Sequence, residues 1–356
     1  MAVKKIQLQT FLEMAKSHVV LDVRSPGEFA HAHITGAYTL PLFSDEERAV
    51  TGTAYKQQSR EAAIKIGLDF FGPKMSSIIS EVETIYNQHA AKTNGASSET
   101  RTVLVHCWRG GMRSGGVAWL LDLYGFNVFT LAGGYKAYRQ WVLQQFAKQY
   151  QCTILGGYTG SGKTIVLHQL STLGMQVIDL EGLANHKGSA FGSYDTPQPT
   201  QEMFENKLAN ALQHIDSEKQ CWFEDESQRI GNLNIPNNFY ALMRNSPVVF
   251  LDIPFSQRLQ YIVQDYGVLH VQKISDAILR IQKRLGPLET KTAIQFLNAN
   301  NIEGCFDLLL KYYDKAYSKG LLKRAKPDEQ IIKLSCDAVD KDANALKVSQ
   351  CEVAAL

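Results

Sequence analysis

The segment 106–114 contains one cysteine, two glycines and two arginines within nine positions. It follows the apolar run 103–105, which predicts a buried strand, and it precedes the apolar stretch 115–121, which predicts a helix. In a glycine-rich loop between a strand and a helix, backbone N–H groups converge on one point, and the helix dipole adds positive potential there. The spacing therefore predicts an anion-binding loop at the end of a strand.

Cys107 lies at the start of this loop, where a thiol is well placed for nucleophilic chemistry. The loop N–H groups and the cationic side chains of Arg109 and Arg113 favour the ionised form of a thiol. A thiolate attacks sulfur, selenium or phosphorus, so we predict that Cys107, Arg109 and Arg113 are catalytic. The other predicted members of the anion loop are Trp108, Gly110, Gly111 and Ser114.

A second anion-binding loop is predicted at 157–164, which matches G-x-x-x-x-G-K-[ST] at every position. The run 151–155 before it predicts a strand and the stretch 165–173 after it predicts a helix, as the motif requires. Such a loop wraps backbone N–H groups around a diphosphate, Lys163 neutralises its charge, and Thr164 can hold Mg²⁺. The motif indicates a diphosphate without identifying ATP or GTP. The predicted diphosphate-binding residues are Gly157, Gly160, Ser161, Gly162, Lys163 and Thr164.

Acidic residues follow two further predicted strands of the same domain. Asp179 and Glu181 follow one strand, and Glu224 and Asp225 close another. Carboxylates at such strand ends hold Mg²⁺ or act as a general base, and the sequence leaves both roles open for these four residues. The loop 181–192, with its small residues and single histidine, predicts a mobile lid over the ligand.

Length and composition limit the class of protein. A chain of 356 residues, 45% hydrophobic and 20% charged, predicts two globular domains. A net charge of +2 indicates that any RNA-binding surface is a local patch. Six cysteines without a C-x-x-C pair argue against a zinc site or a disulfide framework. The sequence contains neither a bilayer-spanning apolar stretch nor a signal peptide, so we expect a cytoplasmic monomer with no membrane partner.

The order of these features predicts an α/β chain with two domains and a helical end. The expected parts are a first domain at 1–134, a linker helix at 135–150, a P-loop domain with a helical C-terminal region at 151–336, and a loosely ordered tail at 337–356.

The cysteine loop resembles the active loop of rhodanese-type sulfurtransferases, in which a strand ends in Cys and the loop closes with Arg-Ser. Upstream, LDVRSPGEF at 21–29 and HITGA at 33–37 are similar to the N-terminal motif of that family. The whole string 106–114, joined to a P-loop domain, resembles the bacterial tRNA 2-selenouridine synthase family over nearly the whole chain. The resemblance implies a rhodanese-like domain followed by a P-loop NTPase-like α/β domain.

Members of that family convert 2-thiouridine at the tRNA wobble position to 2-selenouridine, and the resemblance implies the same reaction here. The thiocarbonyl sulfur first attacks geranyl diphosphate, and a P-loop is suited to stabilise the diphosphate that leaves. Selenium from selenophosphate, carried on Cys107 as a perselenide, then attacks C2 and expels geranylthiol. The implied substrates are tRNA, geranyl diphosphate and selenophosphate, and selenophosphate synthase is an implied partner. Apart from Mg²⁺, no tightly bound cofactor is expected.

Two segments interleave cations with aromatic residues, a pattern that suits phosphate contacts and base stacking on RNA. They are the predicted helix 135–141 and the stretch 311–326. A packed linker helix and a solvated amphipathic helix are the competing interpretations, and both stay open. The candidate tRNA-binding residues are Lys136, Arg139, Lys323 and Arg324.

Two other functions stay open on the residues alone. His-Cys-x5-Arg is also the signature of cysteine phosphatases, so the chain can be a phosphatase fused to a P-loop kinase. Alternatively, it is a nucleotide-gated RNA-binding protein in which the P-loop is a switch and Cys107 a structural or redox-sensing thiol. Phosphate release from a phosphoryl ester would favour the first, and undiminished function of Cys107→Ser would favour the second.

Overall fold

The computed structural model describes residues 3–92, 101–187, 197–266, 271–324 and 326–351. The chain divides into two compact units, Met1–Gln144 and Gln145–Leu356. Each unit contains a five-stranded parallel sheet with helices around it. The predicted α/β fold with two successive domains is therefore confirmed. Residues 188–192 of the predicted lid lie outside the described ranges.

The first unit has the strand order β1-β5-β4-β2-β3. Its strands are β1 (Lys4–Ile6), β2 (Val19–Asp22), β3 (Tyr38–Thr39), β4 (Thr102–His106) and β5 (Asn127–Leu131). Its helices are α1 (Leu8–Ala15), α2 (Pro26–His31), α3 (Asp45–Gln57), α4 (Arg60–Phe71), α5 (Met75–Lys92), α6 (Met112–Leu123) and α7 (Gly134–Gln145), with a 3₁₀ turn at Gly72–Lys74.

Strand β4 is the central strand of this sheet, and every one of its residues is buried. Such a fully buried strand is typical of a parallel sheet that is covered on both faces. Because the carboxyl ends of parallel strands meet at one edge, the loops after β4 and β2 lie beside each other. The packing of α7 differs from the sequence prediction of a linker helix, since its Tyr135 and Tyr138 are buried within the first unit.

The second unit has the strand order β12-β11-β6-β8-β7 and a separate two-stranded antiparallel hairpin. Its strands are β6 (Cys152–Gly157), β7 (Gln176–Ile178), β8 (Cys221–Glu224), β9 (Arg229–Ile230), β10 (Leu233–Asn234), β11 (Val248–Asp252) and β12 (Ile331–Ser335). Its helices are α8 (Lys163–Thr172), α9 (Leu180–Ala184), α10 (Gln201–Gln213), α11 (Asn237–Asn245), α12 (Phe255–Tyr266), α13 (Val271–Leu285), α14 (Pro287–Asn298), α15 (Ile302–Leu321), α16 (Pro327–Gln330) and α17 (Lys341–Ser349).

Helices α12 to α15 form a helical part with its own apolar core, as the sequence predicted for the region after the P-loop sheet. The prediction of a loosely ordered tail at 337–356 is wrong for α17. Ala345 and Val348 of this helix are fully buried and join the same core cluster as Leu167 of α8. Burial of these side chains explains why the segment folds although its sequence is largely polar. Among the described helices, none combines the length and the apolarity needed to cross a bilayer.

Candidate functional site

Cys107 lies directly after the central strand β4, and its side chain is only 3% exposed. The sulfur is 3.2 Å from Oγ of Ser114 and accepts a hydrogen bond from the backbone N–H of Gly111 over 3.4 Å. Burial by itself would raise the pKa of the thiol. The donors at Ser114 and Gly111, with a smaller contribution from the charge of Arg113, outweigh burial and lower the pKa of Cys107. The loop therefore favours a thiolate mainly through hydrogen bonds.

Two glycines with positive φ allow the loop to pack against the start of α7. Gly110 has φ +62° and Gly134 has φ +60°. A Cβ atom on Gly134 would lie 2.3 Å from the carbonyl oxygen of Cys107 and 2.4 Å from the nitrogen of Gly110. The N–H groups of Tyr135 and Lys136 donate to the carbonyls of Cys107 and Trp108, over 2.9 and 3.0 Å. Helix α7 thus fixes the loop carbonyls, so that the N–H of Gly111 faces the sulfur.

A buried ion pair lies behind the loop. Arg24 Nη2 donates to Asp22 Oδ2 over 2.6 Å, and the guanidinium lies 3.8 Å from the centre of the Tyr135 ring. His106 is fully buried, with Nε2 3.7 Å from Oδ2 of Asp22. Burial lowers the pKa of His106 to about 4 against the opposing effect of Asp22. The ring is therefore neutral at physiological pH, and the carboxylate is matched by Arg24.

The two predicted cations of the cysteine loop have different environments. Arg113 donates from Nη1 to Oε2 of Glu28 over 2.6 Å and from Nη2 to Oε1 over 3.4 Å. Arg109 is exposed. Trp108 is 38% exposed and its ring centre is 5.7 Å from that of Tyr135. The sequence predicted that both arginines favour the thiolate, and the structure shows in addition that Arg113 is paired with an acid from α2.

The phosphate loop between β6 and α8 brings all six predicted diphosphate-binding residues together. Gly157, Gly160 and Gly162 have φ of +155°, +82° and +69°, conformations that favour glycine. Lys163 is the first residue of α8, and its Nζ donates to the carbonyl of Gly157 over 2.9 Å. Ser161 is fully buried, and its Oγ has no hydrogen-bond partner within the described part of the chain. The loop thus has the backbone geometry of a diphosphate cradle.

Arg258 supports this loop from α12. Its Nη1 donates to the carbonyl of Thr159 over 3.0 Å, and the guanidinium forms two hydrogen bonds, of 2.9 and 2.7 Å, with Asp314 of α15. The side chain is 3% exposed. Because its donors are already used inside the protein, Arg258 positions the loop backbone.

Asp225, directly after β8, is held by two side chains from the C-terminal region. Arg324 Nη2 donates to its Oδ1 over 2.8 Å, and the hydroxyl of Tyr317 donates to its Oδ2 over 2.5 Å. Arg324 is 4% exposed and also donates to the carbonyls of Met243, Arg244 and Ser246. The prediction that Arg324 contacts tRNA is therefore wrong, because its guanidinium is buried in an internal network.

Asp179 and Glu224 form a carboxyl pair beside the phosphate loop. Oδ1 of Asp179 accepts the N–H of Gly182 over 2.7 Å and caps α9. Glu224 is fully buried, and its Oε2 accepts the N–H of Leu180 over 3.0 Å. Burial, together with the neighbouring charge of Asp179, raises the pKa of Glu224 well above its usual range. Both carboxyl groups accept backbone N–H groups from the first turn of α9, so both anchor the start of this helix.

Glu181 and Glu226 form a second pair, next to the loop cation. Oε2 of Glu181 accepts the hydroxyl of Thr164 over 3.0 Å. Burial raises the pKa of Glu226 well above its usual range, and the adjacent Glu181 adds to the rise while Lys163 opposes it. Of the four acids that the sequence selected, Glu181 contacts the phosphate loop through the hydroxyl of Thr164.

A magnesium ion at Thr164 was predicted from the motif. The hydroxyl of Thr164 and the carboxylate of Glu181 provide oxygen ligands, which Mg²⁺ prefers. Within the described ranges, no group of three or more His, Cys, Asp or Glu side chains is arranged to hold a metal ion. These residues fit an ion that takes its other ligands from water and a bound diphosphate.

The remaining tRNA candidates lie on surfaces. Lys136 and Lys323 are exposed, and Arg139 is partly exposed. The aromatic residues Tyr135 and Tyr138 of the same helix are buried and cannot stack on RNA bases. The packed-helix interpretation therefore applies to these two tyrosines, whereas RNA contact by Lys136, Arg139 and Lys323 stays a prediction.

Sequence reasoning missed residues that contact the two loops from distant positions. Glu28 belongs to the quoted N-terminal motif, and Glu226 completes the run of three acids after β8, so both carried a local signal. Tyr317 carried none that links it to the phosphate loop, because its contact with Gly157 spans 160 residues.

Comparison with known proteins gives a matching family model for each of the two units. The family model of the tRNA 2-selenouridine synthase AAA domain matches residues 150–344, and that of the rhodanese-like domain matches residues 7–140. The tRNA 2-selenouridine synthase of Bdellovibrio bacteriovorus is 32% identical, covering 91% of this chain and 94% of its own. Those of a Sulfurovum species and of Pseudomonas putida are each 34% identical, covering 86% and 90% of this chain and 89% and 91% of theirs. This chain belongs to the tRNA 2-selenouridine synthase family.

Proposed function

We propose that the protein is a transferase that replaces the sulfur of 2-thiouridine at the tRNA wobble position by selenium in two steps. In the first, the thiocarbonyl sulfur bonds to the allylic carbon of geranyl diphosphate and diphosphate leaves. In the second, selenium from selenophosphate is delivered through Cys107 at the selenide level to C2 of the base, geranylthiol leaves, and the phosphoryl group is transferred to water and leaves as phosphate. The proposal assigns the first step to the phosphate loop and the second to the cysteine loop.

The observation that carries the proposal is the presence, in one chain, of a thiol loop and a diphosphate cradle. Donors at Ser114 and Gly111 lower the pKa of Cys107, which suits a selenium carrier. Lys163 and the N–H groups at the start of α8 suit a diphosphate on which negative charge develops as it leaves. A sulfurtransferase alone does not need the second loop, and a kinase alone does not need the first.

The environment of Asp225 supports a diphosphate substrate rather than nucleotide hydrolysis. In P-loop hydrolases an acid near this position binds Mg²⁺, and a polar residue orients the attacking water. Here both carboxylate oxygens of Asp225 accept hydrogen bonds, from Arg324 and Tyr317. If Mg²⁺ binds at Thr164 and Glu181, it supplies further positive charge for the leaving diphosphate.

The tRNA substrate requires cationic surfaces, and we place Lys136 and Arg139 on that of the first unit and Lys323 on that of the second. The exposure of Lys136 and Lys323 supports this assignment. Selenophosphate synthase is the proposed partner that supplies the selenium donor. Contacts to tRNA phosphates are sensitive to salt, so each lost lysine should reduce the slope of log affinity against log salt by about one.

The experiment that tests the proposal separates the two steps by nucleoside mass spectrometry of tRNA. Cys107→Ala should abolish 2-selenouridine while S-geranyl-2-thiouridine accumulates, because the nucleophile of the first step belongs to the RNA. Lys163→Ala should block geranylation, yet still convert pre-geranylated tRNA to 2-selenouridine. Absence of both products with folded, tRNA-bound Cys107→Ala protein would reject this division of labour.

A further inference from the structure

The ion pair between Arg113 and Glu28 determines the charge that the cysteine loop presents to an anion. The two nitrogens of the guanidinium contact the two oxygens of the carboxylate over 2.6 and 3.4 Å. Both side chains are mostly buried, at 22% and 15% exposure. A two-point contact of this kind in a partly dehydrated place is stronger and more directional than a surface ion pair.

Glu28 is fixed in place independently of Arg113. It lies in the first turn of α2, and its Oε2 accepts hydrogen bonds from the backbone N–H and the hydroxyl of Ser25, over 3.2 and 3.3 Å. Nε of Arg48, from α3, lies 3.7 Å from the same oxygen. Burial by itself would raise the pKa of Glu28, but the hydrogen bond and charge of Arg113 outweigh it and lower the pKa. Glu28 is therefore a permanent negative charge at neutral pH.

The same pair has a consequence for the anions that the loop can bind. A phosphate dianion is bound best by an arginine whose fork of N–H donors is available to two phosphate oxygens. In this loop the fork is directed at Glu28, and the thiol depends mainly on Ser114 and Gly111 for its low pKa. The negative charge of Glu28 also repels a second negative charge brought close to Arg113.

We infer that Glu28 is a positioning residue that sets the anion specificity of the cysteine loop. By holding Arg113 it weakens the affinity of the loop for doubly charged phosphate groups, selenophosphate and inorganic phosphate alike. The inference rests on the proposed carrier role of Cys107.

The test uses Glu28→Gln in the full chain, with inorganic phosphate as the probe. Glutamine at this position of α2 preserves the capping interactions with Ser25, so the local fold is retained. We expect phosphate to protect Cys107 against alkylation at about tenfold lower concentration in the variant, because the Arg113 fork is no longer held by a charge. The midpoint of the pH profile of alkylation should also move to lower pH, since a negative charge near the thiolate has been removed.

Two further variants make the result specific. In the double variant Glu28→Gln with Arg113→Ala, phosphate should protect Cys107 no better than in the wild type. The guanidinium that Glu28→Gln would make available to phosphate is missing from this variant. Arg48→Gln removes the other cation near Glu28 and should leave phosphate protection unchanged. Weaker protection by phosphate in Glu28→Gln would overturn the inference, since Glu28 would then be aiming Arg113 at the ligand. Unchanged protection and pH profile would overturn it as well.

These measurements need neither tRNA nor selenium. Failure of the proposed two-step reaction in wild-type protein would therefore leave their outcome intact, and the two hypotheses can be rejected separately.

Discussion

The hydroxyl of Tyr317 donates a hydrogen bond to Oδ2 of Asp225 across 2.5 Å. The hydroxyl oxygen of Tyr317 accepts the backbone N–H of Gly157 over 3.3 Å, and Nζ of Lys163 lies 5.6 Å from the centre of the Tyr317 ring. Burial, with the charge of Asp225, raises the pKa of Tyr317 well above its usual range, so the hydroxyl keeps its proton. One side chain of α15 thus connects the first residue of the phosphate loop to the acid behind it.

Tyr317→Phe should destabilise the second unit by about 1–3 kcal/mol, because the buried Asp225 loses a donor and the N–H of Gly157 loses its acceptor. It should also weaken binding of inorganic diphosphate. Denaturant unfolding and competition binding measure the two effects. Tyr312→Phe, on the same helix, is the matched control and should change neither quantity. Equal behaviour of the two variants would show that the Tyr317 hydroxyl does not support the loop.

Geranylation should proceed without ATP, and ATP at high concentration should compete with geranyl diphosphate for the cradle. Loss of Lys163 should raise the activation free energy of this step by about 2–4 kcal/mol, the transition-state stabilisation that one preorganised donor provides at a charged leaving group. The rate should fall accordingly. The purified reaction with and without ATP provides the measurement. Strict ATP dependence with stoichiometric ADP release would instead support the kinase interpretation.

Gly134→Ala should raise the pKa of Cys107 and slow its alkylation at neutral pH. The added Cβ would clash with the carbonyl of Cys107 and the nitrogen of Gly110, so the loop must move and the donor at Gly111 is misaligned. The pH profile of alkylation reports this change. Gly115→Ala is the control, since a Cβ there meets no heavy atom within 4 Å. Identical pH profiles of alkylation for the two variants would show that the pKa of Cys107 does not depend on the packing of the loop against Gly134.

Stability of the first unit should depend on pH through His106. Its pKa is about 4 in the folded protein and about 6.5 when unfolded, so the unfolded chain binds more protons between these values. The contribution of neutral His106 to the free energy of unfolding is complete above pH 6.5. About 2 kcal/mol of this contribution is lost between pH 7 and pH 5. Urea unfolding at both pH values should show a smaller loss for His106→Gln. The same loss in variant and wild type would exclude His106 as its origin.

The sequence predicted both loops because each is a local feature. Backbone N–H groups next to a helix start need only the right residues within about nine positions, and the glycines at 110, 157, 160 and 162 supply the conformations. The alternation of apolar runs with helical stretches along the chain was sufficient to predict two successive α/β domains.

The tail was predicted wrongly because its helix depends on contacts with a distant part of the chain. Helix α17 is mostly polar, and it becomes stable only because Ala345 and Val348 are buried in the core cluster that contains Leu167 of α8. A pattern of so few apolar residues does not distinguish a docked helix from an unstructured end.

By itself, the sequence determined the position of the cysteine loop, the phosphate-loop motif and the family, since these depend on residue types at fixed short spacing. Only the tertiary structure decided which charges are available to a ligand. It pairs Arg113 with Glu28, directs Arg258 to Asp314, and buries Arg324 against Asp225. These pairs are separated by 85, 56 and 99 residues, and a cation's role depends on the acid that folding brings within hydrogen-bond distance.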